Sequence, residues 1–144
     1  MIKIICVGKI KETFYREAIC EYMKRMQKYH KVVIEEVMDS TKEQEKELIL
    51  RKIDRKDYIV TLEIDGNQMD SLEFSQFIDK TFLNHSNITF IIGGSLGLNE
   101  VIRDTCDELI SFSTMTFPHG LFRGILLEQI YRACKINNNE SYHK

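Results

Sequence analysis

The hydrophobic positions of this chain alternate between two periods. Short runs rich in β-branched residues predict strands: IKIICVG at Ile2 to Gly8, VVIEEVM at Val32 to Met38, YIVTLEI at Tyr58 to Ile64, ITFII at Ile88 to Ile92, and Leu109 to Thr114. Between them the apolar residues recur every three or four positions. Phe14, Ala18, Ile19, Tyr22, Met23 and Met26 share one face of a helix from Glu12 to Tyr29. Leu48, Ile49 and Ile53 mark a second helix, which Ser40 or Thr41 can cap. Phe74, Phe77, Ile78 and Phe82 mark a third, opened by the D-x-x-E capping box of Asp70 and Glu73. Asp65-Gly66-Asn67 reads as the turn that ends the third strand. Two further helices are predicted over Asn99 to Glu108 and Leu121 to Ile136.

Strands that alternate with helices, several of them apolar on both faces, imply an α/β fold. Its sheet is parallel-rich, with five to six strands and helices on both faces. The length of 144 residues suits one domain. In such sheets ligands sit beyond the carboxyl ends of the strands, so the strand-to-helix turns carry the chemistry. The first turn, VGKIKE, has neither GxGxxG nor GxxxxGK[ST], and no acid ends the first strand. A dinucleotide fingerprint, a phosphate loop and a phosphoacceptor pocket are thereby disfavoured. Gly93-Gly94-Ser95-Leu96-Gly97 follows the fourth strand, and its glycines let backbone approach a ligand closely; a tight turn without chemistry explains them as well. The fifth strand leads into Ser111 to His119, rich in hydroxyls and ended by Pro118, the one proline of the chain. That proline stiffens the loop ahead of the last helix.

Charge changes the picture more than composition does. The net charge is -2, yet residues 1 to 31 carry eight Lys/Arg against three acids, and residues 119 to 144 carry four against two. Residues 32 to 118 carry eight against seventeen. Two basic ends that meet in space would form a local positive surface able to face phosphates. Cys6, Cys20, Cys106 and Cys134 show no CxxC pair and no histidine at ligand spacing, which argues for reduced thiols and no metal. No apolar run reaches the ~20 residues of a membrane span, and the N-terminus does not read as a secretory signal, so a cytoplasmic protein without membrane association is expected.

Taken together, IKIICVGKIKE, TLEIDG at 61 to 66, FIIGGSLGL at 90 to 98, SFSTMTFPHGLFR at 111 to 123, LLEQIYRACKI at 126 to 136 and the terminal ESYHK resemble the ribosomal RNA large-subunit methyltransferase H family. The resemblance covers essentially the whole chain; only the stretch between Met38 and Ile53 is shorter than in that family. It implies the SPOUT class of S-adenosylmethionine-dependent methyltransferases and a C-terminal trefoil knot. It also implies a homodimer that methylates N3 of a pseudouridine in helix 69 of 23S rRNA on the assembled ribosome. By similarity the cofactor pocket would be walled by Leu62, Gly93, Gly94, Ser113, Thr114, Met115, Thr116, Phe117 and Pro118. The catalytic candidates are His119, Arg123, Tyr142 and His143, whose imidazoles, guanidinium and phenol can hold or move a proton and bind carbonyls or a base. A SPOUT enzyme acting on a ribose hydroxyl or on tRNA guanine N1, and a non-catalytic nucleotide-binding module, are the alternatives.

Overall fold

The computed structural model describes every residue from Met1 to Lys144. Strands β1 (Ile2–Val7), β2 (Val32–Val37), β3 (Tyr58–Gln68), β4 (Ile88–Ile92) and β5 (Glu108–Ser111) alternate with helices. These are α1 (Thr13–Met26), α2 (Lys42–Lys52), α3 (Ser71–Asn84), α4 (Glu100–Thr105) and α5 (His119–Asn137). The sheet has five strands in the order β2-β1-β4-β3-β5, and every neighbouring pair is parallel.

Successive strand residues point to opposite faces, so each strand supplies two cores. Ile4, Phe90 and Val60 face Ile19 and Met26 of α1, Phe74 and Ile78 of α3, and Leu126 and Ile130 of α5. Their neighbours Ile5, Ile91 and Ile59 face Ile49 of α2 and Ile102 of α4. Each such fully buried aliphatic side chain contributes roughly 1.5–3 kcal/mol of transfer free energy. The capping box of Asp70 and Glu73 forms as expected, and Thr41 caps α2 by accepting from the Gln44 N–H.

Four boundaries differ from the sequence expectation, each for a local reason. Asp65-Gly66-Asn67 does not end β3. The strand continues to Gln68 through an irregularity in which both Leu62 and Asn67 pair with Ile110. Gly66 makes this possible, because a Cβ there would lie 2.8 Å from the backbone carbons of Leu109 and Ile110. β5 stops at Ser111, whose hydroxyl is shared between the carbonyls of Ile64 and Ser113, at 3.1 and 3.0 Å. α4 is a six-residue helix capped by the Asn99 side chain, ending at Thr105 rather than Glu108. α5 begins at His119, two residues early, with Pro118 as its N-cap.

The path from β5 to α5 sets up the site. β5 is the sheet edge, and residues 112–118 return from it past the C-terminal ends of β3 and β4. The first turn of α5 then reaches β1, where Arg123 Nη2 donates to the Gly8 carbonyl at 3.2 Å. Gly120 lets α5 settle on α1, since a Cβ there would lie 2.6 Å from the Tyr15 ring. Beyond it α5 lies between α1 and α3.

Candidate functional site

The return segment and the ends of β3 and β4 border an open cavity of about 730 Å³. Leu62, Glu63 and Ile64 form one wall, Ile92 to Leu98 a second, and Phe112, Ser113 and Met115 to His119 a third, with Phe122 behind. The size lies within the ~300–1,000 Å³ typical of small-molecule sites. A smaller cavity of about 350 Å³ shares Phe112 and Phe117 with it and extends toward Asp70, Ser71 and Gln129.

Of the nine residues assigned to the cofactor pocket, eight line the cavity: Leu62, Gly93, Gly94, Ser113, Met115, Thr116, Phe117 and Pro118. Thr114 is exposed and is not among the lining residues. Both glycines answer to close packing. A Cβ on Gly93 would lie 3.0 Å from the Leu98 side chain, and one on Gly94 3.0 Å from Val7 and 3.3 Å from the Glu45 carboxylate. The loop is stiffened internally: Ser113 Oγ accepts from the Met115 N–H at 3.0 Å, and the Phe117 and Phe122 rings stack 6.0 Å apart. Ser95 to Gly97 and Phe112 fall in the turn and loop singled out in the sequence; Glu63, Ile64, Ile92, Leu98 and Phe122 line the cavity without having been singled out. Their adjacency to Leu62, Gly94 and Ser113 was the available signal.

The catalytic candidates separate into three groups. His119 lines the cavity at the first position of α5. Arg123 does not open into it. Its side chain is 4% exposed, with Nη1 donating to Glu36 Oε2 at 2.7 Å and Nη2 to Gly8, so within one chain it ties α5 to the ends of β1 and β2. Tyr142 and His143 lie elsewhere. The tail folds back on α5, where the Tyr142 hydroxyl donates to Glu128 Oε1 at 3.0 Å and its ring packs edge-on against Tyr131. Glu128 is nine residues from His119 along α5, about 14 Å at the helical rise. Within one chain, then, Tyr142 and His143 lie away from the cavity. Burial and the Glu128 hydrogen bond push the Tyr142 phenol upward, so it remains a donor and not a proton acceptor. His143 Nδ1 lies 3.1 Å from Arg132 Nη1, which can only donate.

The two basic ends do meet. α1 packs beside α5, and all five cation–π contacts fall there: Arg25 with Tyr22 and Tyr131, Lys28 with Tyr29, Arg132 with Tyr142, and Lys135 with Tyr131. Glu140 anchors the tail on this surface, accepting from the Tyr29 hydroxyl, Lys28 and Lys135. Cys6 and Cys134 are buried thiols that burial pushes up to about 11. No helix is long and apolar enough to cross a membrane.

A glycine turn facing a stiff return loop across the ends of parallel strands defines a class of protein. Residues 1–143 match the family model described as "Predicted SPOUT methyltransferase", and the chain is a SPOUT methyltransferase. It is 45% identical over 157 aligned positions to ribosomal RNA large subunit methyltransferase H of Lactobacillus acidophilus, with 99% of each chain covered. The chain belongs to that family. An alignment longer than the 144 residues of the chain accords with a shortened segment. Among solved structures, a protein of Haemophilus influenzae Rd KW20 described as a "probable methylase family protein" superposes with a TM-score of 0.57 at 13% identity, over 99% of this chain and 70% of the other. The SpoU methyltransferase AviRb of Streptomyces viridochromogenes, in complex with AdoMet, gives 0.50 at 11% identity, over 96% of this chain and 60% of the other.

Proposed function

We propose that this enzyme transfers a methyl group from S-adenosylmethionine to N3 of a pseudouridine in helix 69 of 23S rRNA, on the assembled ribosome. Full-length membership in the large-subunit methyltransferase H family carries the substrate. The single structural observation behind the chemistry is the cavity framed by Gly93, Gly94 and the 113–118 loop.

The lining residues suit an adenosine-bearing methyl donor. Leu62, Ile64, Leu98 and Phe117 offer apolar surface to a purine, and the glycine turn and the return loop offer backbone groups without side chains in the way. When bound, that donor supplies an electrophilic methyl group on a sulfonium, so no covalent nucleophile is required of the protein. N3 of pseudouridine is an imide nitrogen that carries a proton at neutral pH. The protein's part is to hold the base in line, remove that proton and stabilise the charge developing on the flanking carbonyl oxygens. His119, alone among the candidates in lining the cavity, takes the proton.

Tyr142 and His143 serve the substrate from the tail. Because the tail of one chain stops well short of its own cavity, the site is completed in a homodimer, with the tail and cation–tyrosine surface of one copy beside the cavity of the other. Tyr142 then offers a face for stacking on an exposed base, the usual way single-stranded RNA bases are held. Arg123 holds the first turn of α5 and thereby His119. Quantifying the methylated pseudouridine in 23S rRNA after incubating purified protein with 70S ribosomes and with deproteinised rRNA tests this reading. Methylation at helix 69 on ribosomes is expected; equal activity on naked rRNA would remove the ribosome from the proposal.

A further inference from the structure

The loop between β1 and α1 carries two cations that the chain leaves without a partner. Lys9 and Lys11 are exposed, and neither enters any of the chain's ion pairs. Other cations of the basic N-terminal part are engaged, Arg25 with Glu21 and Lys28 with Glu140. Ile10, between the two lysines, packs against the larger core, and with it held inward both neighbours face solvent. In the first turn of α1 follows Phe14, 63% exposed, its ring edge-on to Tyr15 at 4.5 Å.

This corner is tied to the site. Gly8, which precedes Lys9, accepts from Arg123 Nη2 at 3.2 Å, and Tyr15 packs against Gly120, so both ends of the corner rest on the first turn of α5. That turn begins with His119, which lines the cavity. Lone exposed lysines are ordinary; here residues 9 to 16 hold Lys9, Lys11 and Arg16 against one acid, Glu12, in a chain of net charge -2. Unpaired cations beside an exposed aromatic ring suit an RNA strand, whose phosphates meet the lysines and whose unpaired bases offer a flat face to the ring. Self-association through this corner about a two-fold axis would instead set its cations against their own copies.

We propose that the β1–α1 corner seats the rRNA beside the target nucleotide, with Lys9 and Lys11 neutralising flanking phosphates and Phe14 stacking on a neighbouring unpaired base. The assignment rests on the rRNA reading above. It places the RNA contacts on the opposite side of His119's turn from the methyl-donor loop, so the two ligands are held by separate residues.

Steady-state methylation of 70S ribosomes by the full chain, across a series of salt concentrations, tests it. Lys9→Ala combined with Lys11→Ala is expected to raise the KM for ribosomes about twofold to thirtyfold, the scale of two exposed ion pairs, with kcat and S-adenosylmethionine affinity unchanged. The slope of log(kcat/KM) against log salt should flatten by about 1.4, at ~0.7 for each phosphate of a single strand. Lys9→Arg combined with Lys11→Arg, which keeps both charges, should behave as wild type. Phe14→Ala should raise KM about fivefold to a hundredfold, the scale of one base–aromatic stack, without moving the salt slope, and Phe14→Tyr should restore it. An unchanged KM and slope in the double alanine variant would overturn the phosphate contacts, as would a loss confined to kcat. Phe14→Ala with an unchanged KM, or one that sediments as a smaller species than wild type and so gives the ring to a second copy, would overturn the stacking. Wild-type melting temperatures are expected throughout, since all three positions are exposed; a raised KM accompanied by a lowered melting temperature would assign the effect to the fold and overturn the contact concerned. A wild-type chain that methylates no ribosomal RNA would refute the rRNA reading itself, and this surface with it.

Discussion

Arg123 Nη1 meets Glu36 Oε2 at 2.7 Å, joining the first turn of α5 to the end of β2 across the top of the sheet. Its Nη2 reaches Gly8, whose φ of +84° is one that glycine adopts without strain. The pair fixes where the return loop must end, and so the shape of the cavity it closes. Arg123→Ala is expected to cost roughly 1.5–3 kcal/mol, the scale of a hydrogen bond to a charged group. S-adenosylmethionine affinity should fall as well. Urea unfolding beside titration calorimetry checks both; a variant with wild-type stability would show the pair to be incidental.

Gly66 is where β3 and β5 approach most closely beside the site's first wall. Alanine there would press its Cβ into the backbone of Leu109 and Ile110, separating β3 from β5. A loss of about 1–3 kcal/mol is expected, typical of forced overpacking, without a polar group having been removed. Chemical denaturation measures it. Wild-type stability would mean that the edge strand gives way without cost.

Pro118, the N-cap of α5 with φ at -58°, stiffens the loop through its ring and not through a polar contact. Pro118→Ala should therefore weaken cofactor binding more than it weakens the fold, because the loop loses preorganisation. A collapsed melting temperature with unchanged affinity would mark the proline as helix punctuation alone.

The pH dependence follows from Glu63. Its folded-state pKa is raised by burial, so the native chain holds this proton more tightly than the unfolded one does. The sign is then fixed: this group's contribution to stability grows as pH falls through its raised value toward the ordinary carboxylate range. Arg103 on α4, Lys42 on α2 and Asp65 on β3 are the charged groups that set the midpoint. Chemical denaturation down the pH scale, with Glu63→Gln as the reference, checks it; identical pH profiles for the two proteins would remove Glu63 from the effect.

Much of the framework was legible in the residues, because strand and helix periods are local. The capping box of Asp70 and Glu73, the Thr41 cap and the order of all ten elements follow from short-range chemistry. What the sequence misplaced depends on contacts far along the chain. Asp65-Gly66-Asn67 has turn chemistry, yet pairing with β5 more than forty residues later keeps it in the strand. Arg123 reads as a free hand beside a histidine until Glu36 and Gly8 arrive from the other end of the sheet. The knot was beyond pattern reasoning, since general experience of chain topology argues against knots and only the family resemblance suggests one. The cavity walls were legible at Gly93, Gly94 and Pro118, where backbone demands leave marks on residue type.

The tail supplies a sharp separation of functions. Tyr142 and His143 rest on Glu128, Tyr131 and Arg132, away from the cavity of their own chain. Deleting Ser141 to Lys144 is expected to abolish methyl transfer while cofactor binding and dimerisation stay near wild type. Single-turnover assays, calorimetry and sedimentation read the three properties. Loss of cofactor binding would move the tail into the pocket wall.

The most direct measurement is mass mapping of helix 69 in 23S rRNA from cells with and without this protein. The account predicts that one pseudouridine loses its N3 methyl group when the protein is removed, and regains it when isolated 70S ribosomes are supplied with purified protein and S-adenosylmethionine. A helix 69 that stays fully methylated without the protein, or a methyl group missing from another nucleotide instead, would contradict it.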